Sequence, residues 1–292
     1  MRVIVEDVAS LRFGDGSPVR AASAIAAFGG GWLVVQDDAT HAAWWRGGAV
    51  TPVRVVPPVA GLDEFSETAG TKHLKPDFEA ACALESGAVL LLGSGSTAAR
   101  TRVSLVTAGG FAVTDLTPVY ASVAAALGIP SAQLNLEGAA LIGDRLRWFQ
   151  RGNAAAGIPS ASVDVDLPAL LSGDPAVAIG NPRRYDLGTV DGVGLAVTDA
   201  VALNDGRILV SAAAEDTPNA VDDGPVVASA LALLDDGGVL AVAEIPATPA
   251  GPWKVEGLAI AGQTTTGVRL VAVVDADDPS AASSCLTLHV LW

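Results

Sequence analysis

Short apolar runs punctuate this chain, and five of them open in the same way. In Phe78-Glu79-Ala80-Ala81-Cys82-Ala83-Leu84, an acid precedes two small residues and an apolar stretch. Leu136-Glu137-Gly138-Ala139-Ala140-Leu141 and Val255-Glu256-Gly257-Leu258-Ala259-Ile260 repeat the pattern. Thr198-Asp199-Ala200-Val201-Ala202-Leu203 carries a shorter acid, and Ala22-Ser23-Ala24-Ile25-Ala26-Ala27-Phe28 a hydroxyl in its place. The marked positions 23, 79, 137, 199 and 256 are 56 to 62 residues apart, so five copies of one supersecondary unit fill the 292 residues.

Within each copy, alternating runs rich in Val, Leu and Ala lie between Gly and Pro breaks, the pattern of short strands. The predicted blades span about 22–56, 79–116, 137–190, 199–245 and 256–292 of a single domain over 1–292, with the outer strand of blade three at 184–190. The segment 118–127 has helical composition and ends at Gly128, a C-terminal cap signal. Blade five lacks a fourth strand, while residues 2–8 form a strand without a blade. Joining the two closes the ring and leaves no sheet at a free end. The predicted fold is an all-β, five-bladed β-propeller.

In a propeller the first strand of each blade lines the central channel, where crowding favours the repeated Ala and Gly. The marked positions begin first strands, so Ser23, Glu79, Glu137, Asp199 and Glu256 are expected at one mouth of the channel. The polar loops after the second strands emerge on the same face: Gln36-Asp37-Asp38-Ala39-Thr40, Ser94-Gly95-Ser96-Thr97, Gln150-Arg151-Gly152-Asn153, Glu215-Asp216-Thr217 and Asp275-Ala276-Asp277-Asp278. Loops over a rigid scaffold are where binding residues concentrate.

Carboxylates crowded around one axis repel, so either some take up protons or a cation lies among them. A set of hard oxygens suits Ca²⁺, which takes about 6–8 oxygen ligands at roughly 2.3–2.6 Å. Zinc prefers His or Cys, and none of the three His occupies a repeat position. The expected cofactor is one calcium ion on the axis. The alternative is that each acid caps a strand end and hydrogen-bonds to backbone amides of the next blade.

Formal net charge is −15, against the basic face that a nucleic-acid binder needs. Cys82 and Cys285 fall inside apolar strand patterns and read as buried free thiols. The opening Met-Arg-Val-Ile-Val-Glu-Asp is unlike a signal peptide, and no run approaches about 18 apolar residues. The expectation is a soluble, cytoplasmic protein with no membrane partner.

These motifs resemble the calcium-activated nucleotidases (apyrases), which are five-bladed propellers. Ser23-Ala24-Ile25 followed by Gln36-Asp37-Asp38-Ala39-Thr40 is similar to that family's Ser-Glu-Leu strand and Asp-Asp-Arg-Thr turn, with Ala39 in place of the Arg. Lys75-Pro76-Asp77-Phe78-Glu79 resembles its Lys-x-Glu segment, Leu146-Arg147-Trp148-Phe149 its Arg-Trp-Phe strand, and Val255-Glu256-Gly257 its Tyr-Glu-Gly. In that family a Ser, two Glu, a Ser and a Glu hold the central calcium. The resemblance therefore implies Ser23, Glu79, Glu137 and Glu256 as ligands, while Asp199 departs from the pattern. The chain also resembles uncharacterised bacterial propellers grouped with phytase-like and esterase-like proteins.

Three functions follow as expectations. The first is a metal-dependent hydrolase of phosphate esters or anhydrides acting on a small phosphorylated molecule. Its anion clamps would come from Lys72, His73, Lys75, Arg100, Arg102 and Arg151, with Arg151 placed best and His73 also a general-base candidate by type. The second is a non-catalytic module tied together by calcium, which binds a small molecule or another protein. The third is an esterase or lactonase on the same metal. A serine triad finds no support, since the chain has no Gly-x-Ser-x-Gly elbow.

Overall fold

The inner strands explain the rest of the molecule. The computed structural model describes residues 1–216, 224–278 and 280–292. Blade one is β2 (Ala22–Phe28), β3 (Gly31–Gln36), β4 (His41–Arg46) and β5 (Ala49–Arg54). Blade two is β6 (Phe78–Ala83), β7 (Val89–Gly93), β8 (Arg102–Thr107) and β9 (Gly110–Asp115), followed by helix α1 (Thr117–Leu127). Blade three is β10 (Leu136–Ile142), β11 (Arg145–Gln150), β12 (Ser160–Asp166) and β13 (Ile179–Tyr185), with α2 (Leu167–Ser172) between its last two strands. Blade four adds the short β14 (Thr189–Val190) to β15 (Val193–Ala202), β16 (Ile208–Glu215), β17 (Val226–Asp235) and β18 (Gly238–Glu244). Blade five is β19 (Lys254–Thr264), β20 (Gly267–Asp275) and β21 (Ser284–Leu291), completed by β1 (Arg2–Ser10) on its outer edge. The N-terminal strand thus closes the ring, as the unmatched strand at 2–8 predicts.

Side chains of an inner strand alternate between the two neighbouring blades. Ala24 and Ala26 pack with blade two, whereas Ile25 packs with Val271 and Val273 of blade five. The same division gives an apolar core in each gap between successive blades. The gap between blades two and three is widened by α1, whose Tyr120 meets the buried Trp148 edge to face at 4.8 Å. Gly128 ends α1 at φ 68°, as its cap signal predicts. Cys82 and Cys285 are free and buried.

Boundaries differ from the sequence reading in blades three and four, and the inner strand of blade four, β15, begins at Val193 rather than at 199. The outer strand of blade three is Ile179–Tyr185 rather than 184–190, and Thr189–Val190 pairs with β15 of blade four instead. Its sequence, Ile-Gly-Asn-Pro-Arg-Arg-Tyr, has the composition of a turn, which an edge strand tolerates because its outward N–H groups need no ladder partner. Helix α2 has no counterpart in the sequence reading; Asp166 caps it by accepting from the Ala169 amide. Among the described residues no helix is long and apolar enough to cross a membrane.

Candidate functional site at the channel mouth

Every inner strand carries a β-bulge, near its start in four blades and midway along β15 in blade four. The register skips one residue between Ala22 and Ala24, Phe78 and Ala80, Leu136 and Gly138, Val197 and Asp199, and Val255 and Gly257. The skipped residues are Ser23, Glu79, Glu137, Thr198 and Glu256. A bulge frees one residue from the ladder and re-aims its side chain. The blade-four equivalent is therefore Thr198, and Asp199 lies one residue further down the strand. The small residues next in line have a packing reason: a Cβ on Gly138 would come within 2.9 Å of the Asp199 backbone, and one on Gly257 within 2.8 Å of the Ala24 backbone.

The hydroxyls and the glutamates behave differently. Ser23 Oγ donates to the Phe78 carbonyl at 2.6 Å, and Thr198 Oγ1 to the Val255 carbonyl at 2.7 Å. Each directs its proton to the next blade and keeps a lone pair, although Thr198 Oγ1 is also hydrogen-bonded to Ser211 Oγ at 2.8 Å. Glu137 accepts from Asn135 Nδ2 at 2.7 Å and from Arg151 Nη1 at 3.0 and 3.2 Å. Arg151 also bonds to Glu215, which accepts the Gly224 amide. Glu256 has the Lys254 ammonium 3.6 Å away, and Lys254 pairs with Asp277 at 2.8 Å. Glu79 has no hydrogen-bond or ion-pair partner at bonding distance among the described residues. Lys75, nearby, contacts Asp37 and lies 2.6 Å from Asp77, while Arg100 is 3.0 Å from Asp77.

Three basic groups, Lys75, Arg151 and Lys254, thus interleave with the acids. Burial pushes the Glu79 carboxyl well above the usual range, reinforced by Asp77 and Asp37. Burial raises Glu137 as well, against the pull of Arg151, and takes Glu256 to about 8. Burial opposes the charge on Lys75, but Asp37 and Asp77 overcome it and hold the ammonium protonated. The same contest keeps Asp77 ionised, with Lys75 and Arg100 winning over burial. Asp77 sits at φ 58°, a left-handed conformation uncommon for a residue other than glycine.

Among the described residues, one set of three acids brings its ligand oxygens within 4.8 Å of one another: Asp37, Asp77 and Glu79. The ring glutamates form no such set. The sequence places five marked side chains at this mouth. Four of them, Ser23, Glu79, Glu137 and Glu256, stand at equivalent bulges. Asp199 is turned into the protein, where Oδ2 accepts the Leu258 amide at 2.7 Å and Oδ1 has no hydrogen-bond partner. Burial raises its carboxyl well above the usual range. The sequence repeat aligned acid with acid and so passed over Thr198; the signal available was the hydroxyl at position 23.

The remaining candidates separate by environment. Arg151 and Lys75 are at the mouth but fully engaged with carboxylates. His73 is exposed on a short 3-10 turn, Lys72–Leu74, and makes no hydrogen bond to the described residues. Thr217 of the fourth predicted mouth loop lies outside the described residues. Below the ring the channel becomes apolar, with a cavity of about 270 Å³ lined by Ile25, Ala81, Ala139, Ala200, Leu258 and the two residues after each.

Several solved structures are similar to the chain at low identity. A luciferin-regenerating enzyme matches with 12% identity and a TM-score of 0.46, covering 94% of this chain and 78% of its own. A protein provisionally described as a glycoside hydrolase, from Parabacteroides distasonis ATCC 8503, matches with 12% identity and a TM-score of 0.48, covering 92% and 86%. A provisionally described oxidoreductase (glucose dehydrogenase) from Thermus thermophilus matches with 13% identity and a TM-score of 0.45, covering 97% and 99%. At such identities and TM-scores these likenesses say nothing about the chemistry of this chain. None of the three is described as a nucleotidase, and no curated protein matches the chain. The model of a family of unknown function (DUF6910) matches residues 71–279, which include four of the five bulge positions, and the chain belongs to that family.

Proposed function

We propose that the mouth is a site for one hard divalent cation, calcium by its donor set, and that the propeller is a cation-dependent binding module for a small polar molecule. Glu79, Glu137 and Glu256 would hold the ion, with the lone pairs of Ser23 and Thr198. The observation that carries this reading is Glu79: a carboxylate with no donor among the described residues, beside two more acids whose oxygens lie within 4.8 Å. A carboxylate in that position either keeps a proton or takes a cation. The order hydroxyl, glutamate, glutamate, hydroxyl, glutamate also fits the nucleotidase pattern once Thr198 replaces Asp199. When bound, the ion would supply positive charge at the mouth and an open coordination position for an oxygen of the ligand. Lys75, Arg151 and Lys254 already balance part of the charge, so the affinity expected is modest.

No observation favours phosphoester hydrolysis over binding at the mouth, because Lys75, Arg100, Arg151 and Lys254 there are paired with carboxylates. The test is calorimetric titration of EDTA-treated protein with CaCl₂ and MgCl₂, with melting curves alongside. One-site calcium binding that raises the melting temperature, weakened in Glu79→Gln, is the expected result. A wild-type protein indifferent to calcium overturns the proposal. Calcium-dependent phosphate release from nucleoside triphosphates would replace the binding-module reading with a hydrolase.

A further inference from the structure

At the end of blade three away from the mouth, an arginine cluster stands out on this acidic chain. Arg151 follows β11 at the mouth, and Arg145 begins that strand about 20 Å away. On that strand and its neighbours, three guanidinium groups converge on Asp164. Arg147 is buried and bidentate, with Nε to Oδ1 at 2.6 Å and Nη2 to Oδ2 at 3.1 Å. Arg145 Nη1 and Arg183 Nη1 each reach Oδ2 at 3.3 Å, and Asn181 Nδ2 reaches it at 3.1 Å. One carboxylate oxygen thus serves four donors, more than its lone pairs can satisfy well.

The only other acid touching these arginines among the described residues is Asp236, on the β17–β18 turn of blade four. It bonds to Arg183 Nη2 at 3.0 Å, and its nearest approach to Arg147 is 3.6 Å, from Nη1, beyond hydrogen-bond distance. Its side chain is 84% exposed, so this pairing is weak and easily exchanged. Arg147 Nη1 and the remaining nitrogens of Arg145, a residue half open to solvent, have no acceptor at bonding distance among the described residues. Three guanidinium groups face two carboxylates, one of them largely exposed, on a chain of net charge −15.

We propose that Arg145, Arg147 and Arg183 form an oxyanion site between blades three and four, in which a phosphate group takes the place now held by Asp236. Guanidinium groups bind phosphate through paired N–H···O bonds, and a tetrahedral anion supplies the acceptor oxygens this cluster lacks. Asp164 stays as the buried anchor that fixes Arg147. The site is at the other end of the blade from the proposed cation, so the two readings stand or fall separately.

The experiment is calorimetric titration with sodium phosphate in EDTA, with sodium chloride at matched ionic strength as the blank. Saturable binding to the wild type is expected, about tenfold weaker in Arg145→Gln and Arg183→Gln, whose changes leave the Arg147–Asp164 pair intact. Asp236→Ala removes the competing acid and is expected to tighten binding several-fold. This gain cannot come from a damaged fold. O-phosphoserine binding as tightly as phosphate would place a phosphorylated partner at the site, whereas weaker binding would restrict it to the free ion. The proposal is overturned if neither the wild type nor Asp236→Ala binds phosphate above the chloride blank. It is equally overturned if both arginine variants bind as the wild type does.

Discussion

Blades one and four differ from blades two, three and five at a single bulge residue, and that residue decides which carboxylates can respond to a cation. Ser23 and Thr198 donate to the carbonyls of Phe78 and Val255, and each acceptor immediately precedes a ring glutamate. The hydroxyl blades therefore fix the backbone that carries Glu79 and Glu256 and leave those two side chains free of strong partners. Glu137 follows a glutamate blade and gains no such buttress. Its side chain is tied down instead, by Asn135 and Arg151. Glu137 is the anchor of the ring, and Glu79 and Glu256 are its responsive members.

The largest effect should come from breaking the anchor. Arg151→Met leaves Glu137 and Glu215 as buried carboxylates without their cation. Removing one partner of a buried ion pair costs about 3–5 kcal/mol, because an uncompensated charge stays behind. Urea denaturation at pH 7.5 reads this directly. A loss under about 1 kcal/mol would mean that Glu137 is no better anchored than the other two glutamates.

Next comes the identity of the fourth ring position. Thr198→Val keeps the side-chain shape but orphans the buried Val255 carbonyl, at a cost of about 1–3 kcal/mol. It should also weaken the calcium response as Glu256→Gln does. Asp199→Asn should leave both near wild type: burial already holds that carboxyl above the usual range, and an amide oxygen can still accept from Leu258. The reverse ranking in paired calorimetric titrations would restore Asp199 to the ring.

Glu79→Gln probes a responsive member. It should lower calcium affinity about tenfold or more, since affinity follows the charge on the ligands. Stability without calcium should hold or rise slightly, because Asp77 and Asp37 lose a repelling neighbour. A loss of stability as large as that of Arg151→Met would erase the distinction between anchor and responder.

The period of the repeat, the closing strand and four of the five bulge positions were legible in the chain, because small residues and alternation recur where the channel demands them. The exchange of Thr198 for Asp199 was not, since a bulge shifts the frame by one residue and composition does not mark where that happens. The tethered cations were equally hidden. Lys75 precedes its ring glutamate by four residues, Lys254 by two, and Arg151 comes from the next strand, so no common spacing announces them. Ile179–Tyr185 was missed because an edge strand of blade three can carry the Gly, Asn and Pro that elsewhere signal a turn.

The smallest effect belongs to a hydroxyl blade, whose mouth turn carries the acids that its inner strand lacks. Burial, with help from Asp37 and Glu64 and against Arg20 and Lys75, raises the Asp38 carboxyl to about 6 from an ordinary 3.8. Its Oδ1 has no hydrogen-bond partner. A raised folded-state value for an acid means that the native protein binds the proton more tightly than the unfolded chain. Asp38 therefore costs nothing below about pH 4, costs progressively more as pH rises to about 6, and imposes its full penalty above that. Asp38→Asn removes the penalty and loses the Arg20 contact at 3.3 Å, but Arg20 keeps Glu64 at 3.0 Å. A shift of this size sets a ceiling of about 3 kcal/mol. The lost pairing reduces the expected gain to about 1 kcal/mol at pH 7.5, with none at pH 4. Melting both proteins across that range would show the curves meeting at low pH and separating above it. Parallel curves would mean that this turn carries its charge without strain, and that the cost of crowding acids at the mouth falls on the glutamate blades alone.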